Sequence, residues 1–183
     1  MEDKRVFLGI KCPDLCVYEY LKELTSLFNG KITLVFPELY HITLHFFGNL
    51  KIDQIDILNQ KLQTLSINKF ELEFGITGIF PKNQPSNANV LIITPIKGSK
   101  QIIGIHQKIS KILKLLNYPV EKRPFNPHLT VARVKYGSQR SELAKTWLSY
   151  EIQINESIPI DHFSLFESKL STEGPKYIEL YNY

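Results

Sequence analysis

Tyr40-His-Ile-Thr-Leu-His-Phe-Phe47 and Pro127-His-Leu-Thr-Val-Ala132 each carry a His-hydrophobe-Thr tripeptide: His41-Ile42-Thr43 and His128-Leu129-Thr130. Both runs are apolar and rich in strand-forming residues. In a strand successive side chains point to opposite faces, so a His and the Thr two positions on project together. With five His in 183 residues, two such tripeptides exceed chance placement. One copy gives a strand bearing an imidazole and a hydroxyl. Two copies, from chain halves of similar length, give a cleft in which two imidazoles face one another, equipped for paired acid and base work on a phosphate.

Working outward, Arg5-Val-Phe-Leu-Gly-Ile-Lys-Cys12 reads as a buried first strand. Pro13-Asp14 marks a helix start, with Asp14 as cap and the helix running to about Phe28, where Asn29-Gly30 ends it. Residues 31–36 extend or flank the motif strand, itself expected from Leu39 to Phe47, with Gly48-Asn49 as a turn. Ile55, Leu58, Leu62 and Leu65 recur at helical spacing over 53–66. Strands follow at Phe70–Phe80 and Asn89–Ile96, separated by the turn-rich Pro81–Asn87. The second half repeats the rhythm. Ile102, Ile105, Ile109, Ile112 and Leu116 stripe a helix over 99–117. His128–Val134 is a strand, 138–150 a helix, and 158–168 and 176–182 are strands. The expected fold is α+β: a single bilobal, pseudo-duplicated domain over 1–183, two antiparallel sheets with facing His-x-Thr strands and flanking helices.

The composition, 43% hydrophobic and 22% charged, is that of a globular protein. A net charge of +4 suits a polyanionic substrate without indicating a nucleic-acid packaging protein. Cys12 and Cys16 make a lone C-x3-C, neither a zinc site nor a disulfide framework, and read as reduced thiols. No apolar run approaches the roughly 18–20 residues of a membrane span, and no signal peptide is expected, so the expected location is cytoplasmic. A monomer is the default. No Gly-rich phosphate loop and no G-x-S-x-G elbow occurs. His41 and His45, four apart on a strand, stand roughly 13 Å from each other, too far for one zinc. Neither a metal nor a cofactor is expected.

Imidazoles titrate near neutrality, so His41 and His128 can divide acid and base roles. Thr43 and Thr130 can each donate a hydrogen bond to a phosphate oxygen. Arg133, five residues after His128 and amid Lys122, Arg123, Lys135 and Arg140, can grip a phosphoryl group bidentately. Strict alternation puts Arg133 on the wrong face; a β-bulge is needed to bring it in. The same alternation puts His45 with His41 and Thr43, at the cleft rim. His106, beside the apolar stripe of its helix, and His162, with no Thr two residues on, read as structural.

Leu39-Tyr-His-Ile-Thr-Leu-His-Phe-Phe-Gly-Asn49 and Arg123-Pro-Phe-Asn-Pro-His-Leu-Thr-Val-Ala-Arg133 resemble the paired motifs of the two-histidine (2H) phosphoesterases. The likeness is strongest to the LigT-like branch, RNA 2′,3′-cyclic phosphodiesterases once called 2′-5′ RNA ligases. Arg5–Ile10, Leu165–Leu170 and Gly174–Tyr177 agree with it, so the resemblance spans the chain. Val131 stands where Leu is common. The resemblance implies a bilobal α+β fold with a central cleft. It makes His41 and His128 the catalytic pair, and Thr43, Thr130 and Arg133 the phosphate ligands. The implied reaction opens an RNA 2′,3′-cyclic phosphate at the P–O3′ bond to leave a 2′-phosphomonoester, with His128 as base and His41 as acid. Its substrates are RNA ends, tRNA fragments among them, or cyclic nucleotides. The alternatives are 2′-5′ RNA ligation, turnover of another small cyclic phosphate, and non-catalytic binding of RNA ends.

Overall fold

The computed structural model describes residues 3–13, 15–152, 157–172 and 174–183. Nine strands and four helices alternate through them: β1 (Lys4–Lys11), α1 (Tyr18–Ser26), β2 (Lys31–Leu34), β3 (His41–Leu50), α2 (Ile52–Leu62), β4 (Phe70–Phe80), β5 (Val90–Lys97), α3 (Ser99–Leu115), β6 (Leu129–Tyr136), α4 (Arg140–Leu148), β7 (Ile158–Ile160), β8 (Ser164–Ser171) and β9 (Gly174–Asn182). The Asp14 cap expected from sequence lies outside the described residues; α1 begins later, after Val17.

The strands form one antiparallel array in the order β7-β4-β5-β6-β3-β1-β8-β9, with β2 also pairing to β6. The α+β class and the paired arrangement hold: β6-β5-β4-β7 makes one half and β3-β1-β8-β9 the other. The pattern reads as two separate sheets, but the halves are joined, and they join at one point. The motif strands β3 and β6 meet through the single pair Ile42 and Leu129, both buried, at 1% and 0% exposure. Each of these residues follows its histidine directly, so the junction sets the two histidines side by side at the neck between the lobes.

The helices cover the array with their apolar stripes. Ile55, Leu58 and Leu62 of α2 are buried, as are Ile102, Ile105, Ile109 and Leu113 of α3. The last turn of α3 thus buries Leu113 where the expected stripe continues through Ile112 and Leu116, which are only partly covered. On α4, Trp147 is fully buried and its indole Nε1–H donates to the Gly78 carbonyl at 3.0 Å, satisfying the polar atom that so large a ring carries inward. Among the described residues no helix is long and apolar enough to cross a membrane.

Three local expectations change. Residues 31–34 pair with β6 and not with β3. The segment 158–168 divides into β7 and β8, interrupted at 161–163, because each half pairs with a different lobe. Gly48-Asn49 is no turn: β3 runs through to Leu50. Gly48 has φ of 76°, and it follows Phe47, which has no partner between the Val6–Gly48 and Phe7–Phe46 pairs. A bulge that needs a left-handed residue therefore takes the glycine that sequence alone reads as a turn.

Candidate active site

The cleft at the neck has a volume of about 510 Å³ and is lined by His41, Thr43, His128, Thr130 and Arg133, together with Arg5, Phe7, Phe46 and Tyr177. Five of the six candidate residues from the sequence therefore meet in one cavity, of a size suited to a nucleotide.

The histidines are held in matching ways. His41 Nδ1 lies 2.7 Å from the Leu39 carbonyl, and His128 Nδ1 lies 2.8 Å from the Asn126 carbonyl. In both motifs the partner is the backbone oxygen two residues earlier. A carbonyl only accepts, so Nδ1 carries the proton in each ring and Nε2 holds the lone pair. Aromatic rings brace both imidazoles. Phe7 lies 4.8 Å and Tyr177 5.1 Å from His41, centroid to centroid, while Phe80 stands edge-on to His128 at 4.9 Å.

Arg133 reaches the cleft by the bulge that alternation demands. On β6, Thr130 pairs with Ile92 and Ala132 with Leu91, leaving Val131 without a partner. Val131 and Ala132 are consecutively buried, so the alternation slips by one and Arg133 returns to the side of Thr130. The extra carbonyl is not orphaned, since Val35 N–H donates to Val131 O at 2.9 Å.

The first motif carries the same device at the same place. On β3, Thr43 pairs with Gly9 and His45 with Leu8, so Leu44 is the unpartnered residue. The slip moves Phe46 into the cleft, at the position three after Thr43 that Arg133 occupies after Thr130. The Arg5 guanidinium lies over the Phe46 ring at 5.0 Å, so this side of the cleft is cationic as well.

That bulge overturns one expectation. His45 does not line the cleft. It is turned to the opposite face, where its ring stands edge-on to Phe47 at 4.6 Å. Burial, reinforced by the neighbouring His106, pushes its pKa down to about 4, so it stays neutral near pH 7 and serves as a packing group. His106 stacks flat on Phe125 at 4.0 Å, away from this cleft. His162 pairs with Asp161 at 2.6 Å on the surface.

Both catalytic candidates sit below the usual histidine range. Burial is the main cause for each. The Nδ1–carbonyl hydrogen bonds oppose it, and Arg133 pushes both down further, with His128 adding to the effect on His41. The cleft by itself thus favours two neutral imidazoles beside guanidinium charge, an arrangement that an anion would relieve. Burial raises the Tyr177 hydroxyl, against the pull of Arg133 and Arg5; it remains a proton-bearing donor beside both cations. Phe7, Phe46 and Tyr177 are site residues that sequence reasoning misses. Their signal is present in the stretches Arg5–Ile10, Leu39–Asn49 and Gly174–Tyr177, but chemistry-bearing residue types draw attention to the histidines instead.

A family model described as the 2′-5′ RNA ligase superfamily matches residues 18–170, well over half of the chain. The RNA 2′,3′-cyclic phosphodiesterase of Archaeoglobus fulgidus is 28% identical over 179 residues, covering 96% of this chain and 97% of its own. That of Bacillus subtilis is 30% identical over 151 residues, 81% of this chain and 78% of its own. Among solved structures, Escherichia coli LigT complexed with 3′-AMP superposes with a TM-score of 0.76 at 17% identity, covering 100% of this chain and 98% of LigT. A Thermus thermophilus protein, TT0787, gives a TM-score of 0.76 at 22% identity, with 98% and 96% covered. The structural likenesses carry the fold.

Proposed function

The chain belongs to the 2′-5′ RNA ligase superfamily, and from that membership we propose that it hydrolyses RNA 2′,3′-cyclic phosphate ends to 2′-phosphomonoesters by paired histidine catalysis. The observation that carries this reading is the matched pair of imidazoles, each with Nδ1 tied to the carbonyl two residues back and Nε2 left for proton transfer. Relatives named RNA 2′,3′-cyclic phosphodiesterase, similar over nearly the whole chain, support the substrate class. In this reading residues 1–183 act as one two-lobed catalytic domain on RNA ends or cyclic nucleotides, without a metal or cofactor.

The cyclic phosphate lies between the rings, its non-bridging oxygens held by Thr43, Thr130 and Arg133. Water gives a proton to His128 Nε2 as its oxygen bonds to phosphorus. The P–O3′ bond breaks in line, and O3′ takes a proton from His41 Nε2. The P–O2′ bond stays, which fixes the product as a 2′-phosphate. His41 must start protonated. In the protein alone its pKa is depressed, and the arriving anion reverses that by favouring the imidazolium. Substrate binding therefore charges the acid that its own cleavage needs. The assignment of His128 as base and His41 as acid follows the family likeness, since the two sites are built alike.

Each proton-transfer role is worth roughly 10²–10⁴-fold. The test is incubation in EDTA with 2′,3′-cyclic nucleotides and an oligonucleotide ending in a 2′,3′-cyclic phosphate, with the position of the product phosphate determined. A 2′-phosphate, lost in both His41→Ala and His128→Ala, is the expected result. A 3′-phosphate overturns the regiochemistry. No turnover of any cyclic phosphate overturns hydrolysis and moves the function to joining or binding RNA ends.

A further inference from the structure

His128 lines a second cavity as well as the cleft. This second hollow, about 630 Å³, is bounded by Phe80, Pro81, Asn89, His106, Arg123, Phe125 and Asn126, with Glu121 at its edge. Phe80 links the two spaces, since its ring both lines the hollow and stands edge-on to His128 at 4.9 Å. Another wall is a flat pair of rings, His106 on Phe125 at 4.0 Å with an interplanar angle of 5°. Burial lowers the His106 pKa, so near neutrality this pair is an uncharged aromatic platform. Asn89 and Asn126 are exposed and bring amide donors and acceptors of the kind that read base edges. At the mouth the Arg123 guanidinium is exposed and held by Glu121 at 2.8 Å.

Aromatic walls, amides and a cation at the rim make a surface for one nucleoside and its phosphate. Its continuity with His128 says which nucleoside. We propose that this hollow is a subsite for the nucleotide next to the terminal one, so that an RNA end lies across His128 with its cyclic phosphate in the cleft and its penultimate base on the Phe125–His106 platform. The proposal rests on the reading of the cleft given above. Its consequence is a preference for RNA chains over cyclic mononucleotides, which fill the cleft and do not reach the hollow. The Arg123–Glu121 pair sets the strength of that preference, because Glu121 competes with the substrate phosphate for the guanidinium.

The test compares kcat/KM for 2′,3′-cyclic AMP and for the dinucleotide ApA ending in a 2′,3′-cyclic phosphate, in the whole chain and in Arg123→Gln, Phe125→Leu and Glu121→Gln. Wild type should favour the dinucleotide by roughly 5- to 100-fold, the range that one stacked base is worth. Arg123→Gln and Phe125→Leu should lose most of that advantage with the mononucleotide rate unchanged, and Glu121→Gln should enlarge it. Equal rates on the two substrates in wild type, or variants that lower both rates alike, overturn the subsite. If wild type turns over neither substrate, the cleavage reading fails by itself. Binding of ApA 3′-monophosphate against 3′-AMP then decides the subsite: an affinity gap closed by Arg123→Gln supports it, and no gap overturns it.

Discussion

Replacing Arg133 by Gln should move rate and imidazole pKa in opposite directions. The guanidinium lines the cleft with both histidines and depresses the pKa of each. Removing the positive charge relieves that repulsion, so both imidazoles should titrate at higher pH in the ligand-free protein. In the proposed reaction the same substitution also removes a charged donor from the transferring phosphoryl group. Loss of one such donor typically costs 10²–10³-fold in rate, about 3–4 kcal/mol. kcat/KM on a cyclic phosphate should fall by that amount even though the histidines become easier to protonate. Arg133→Lys separates the two effects. It keeps the charge, so the imidazole pKa values should stay near those of the parent, but it lacks the bidentate fork and should lose about tenfold. The assay is proton–carbon NMR titration of the imidazole Cε1–H groups, paired with initial rates across pH. If Arg133→Gln leaves both imidazole pKa values where they were, the bulge at Val131 does not deliver the guanidinium to the histidines and the geometry argued for the cleft is wrong.

Other outcomes follow from the same site. Because both imidazoles are depressed in the free cleft and an anion raises them, the pH optimum of kcat, which reports the bound state, should lie above that of kcat/KM; coincident profiles would remove the proposed charging of His41 by substrate. A cyclic or aryl phosphodiester whose leaving group departs as an anion needs no acid, so His41→Ala should recover far more activity on it than His128→Ala, and the reverse pattern would exchange the two roles. His45, held to about pH 4 where an unfolded histidine titrates near 6.5, resists protonation in the fold. The unfolded chain takes the proton first, so stability should decline as pH falls from 6.5 through 4. The decline should be about 2 kcal/mol, the full shift being reduced for the solvent that reaches the ring. Denaturant melts of His45→Phe should show a shallower loss over that interval, and an unchanged slope would refute the assignment.

The histidine motifs, the helices around them and the α+β class are legible because period-2 and period-3.6 patterns report local geometry. The residues that sequence misplaces sit where the period breaks. A bulge inserts one residue without leaving a mark in the composition, so alternation assigns His45 to the cleft and leaves Phe46 out. For Arg133 the chemistry of phosphate binding demands a bulge, and one is present at Val131. For His45 no such demand exists, and the equivalent bulge at Leu44 passes unseen. Long-range pairing is equally silent. That β2 crosses to β6, and that 158–168 serves two lobes, depends on which edges are free once the array assembles, which no local window records. The second cavity is out of reach for the same reason, because Phe80, His106 and Phe125 lie far apart along the chain.

The single rung between Ile42 and Leu129 makes the cleft a caliper. Its jaws are the two lobes, and its gauge is a ruler one residue long that ends on the two histidines. Outer strands, helices and loops can be rebuilt on either jaw, widening or narrowing the mouth, without touching the rung that sets the two histidines together. Selectivity and chemistry are therefore separately adjustable in this architecture. A substitution on an outer wall changes what the cleft admits, whereas one at the rung shifts both histidines at once.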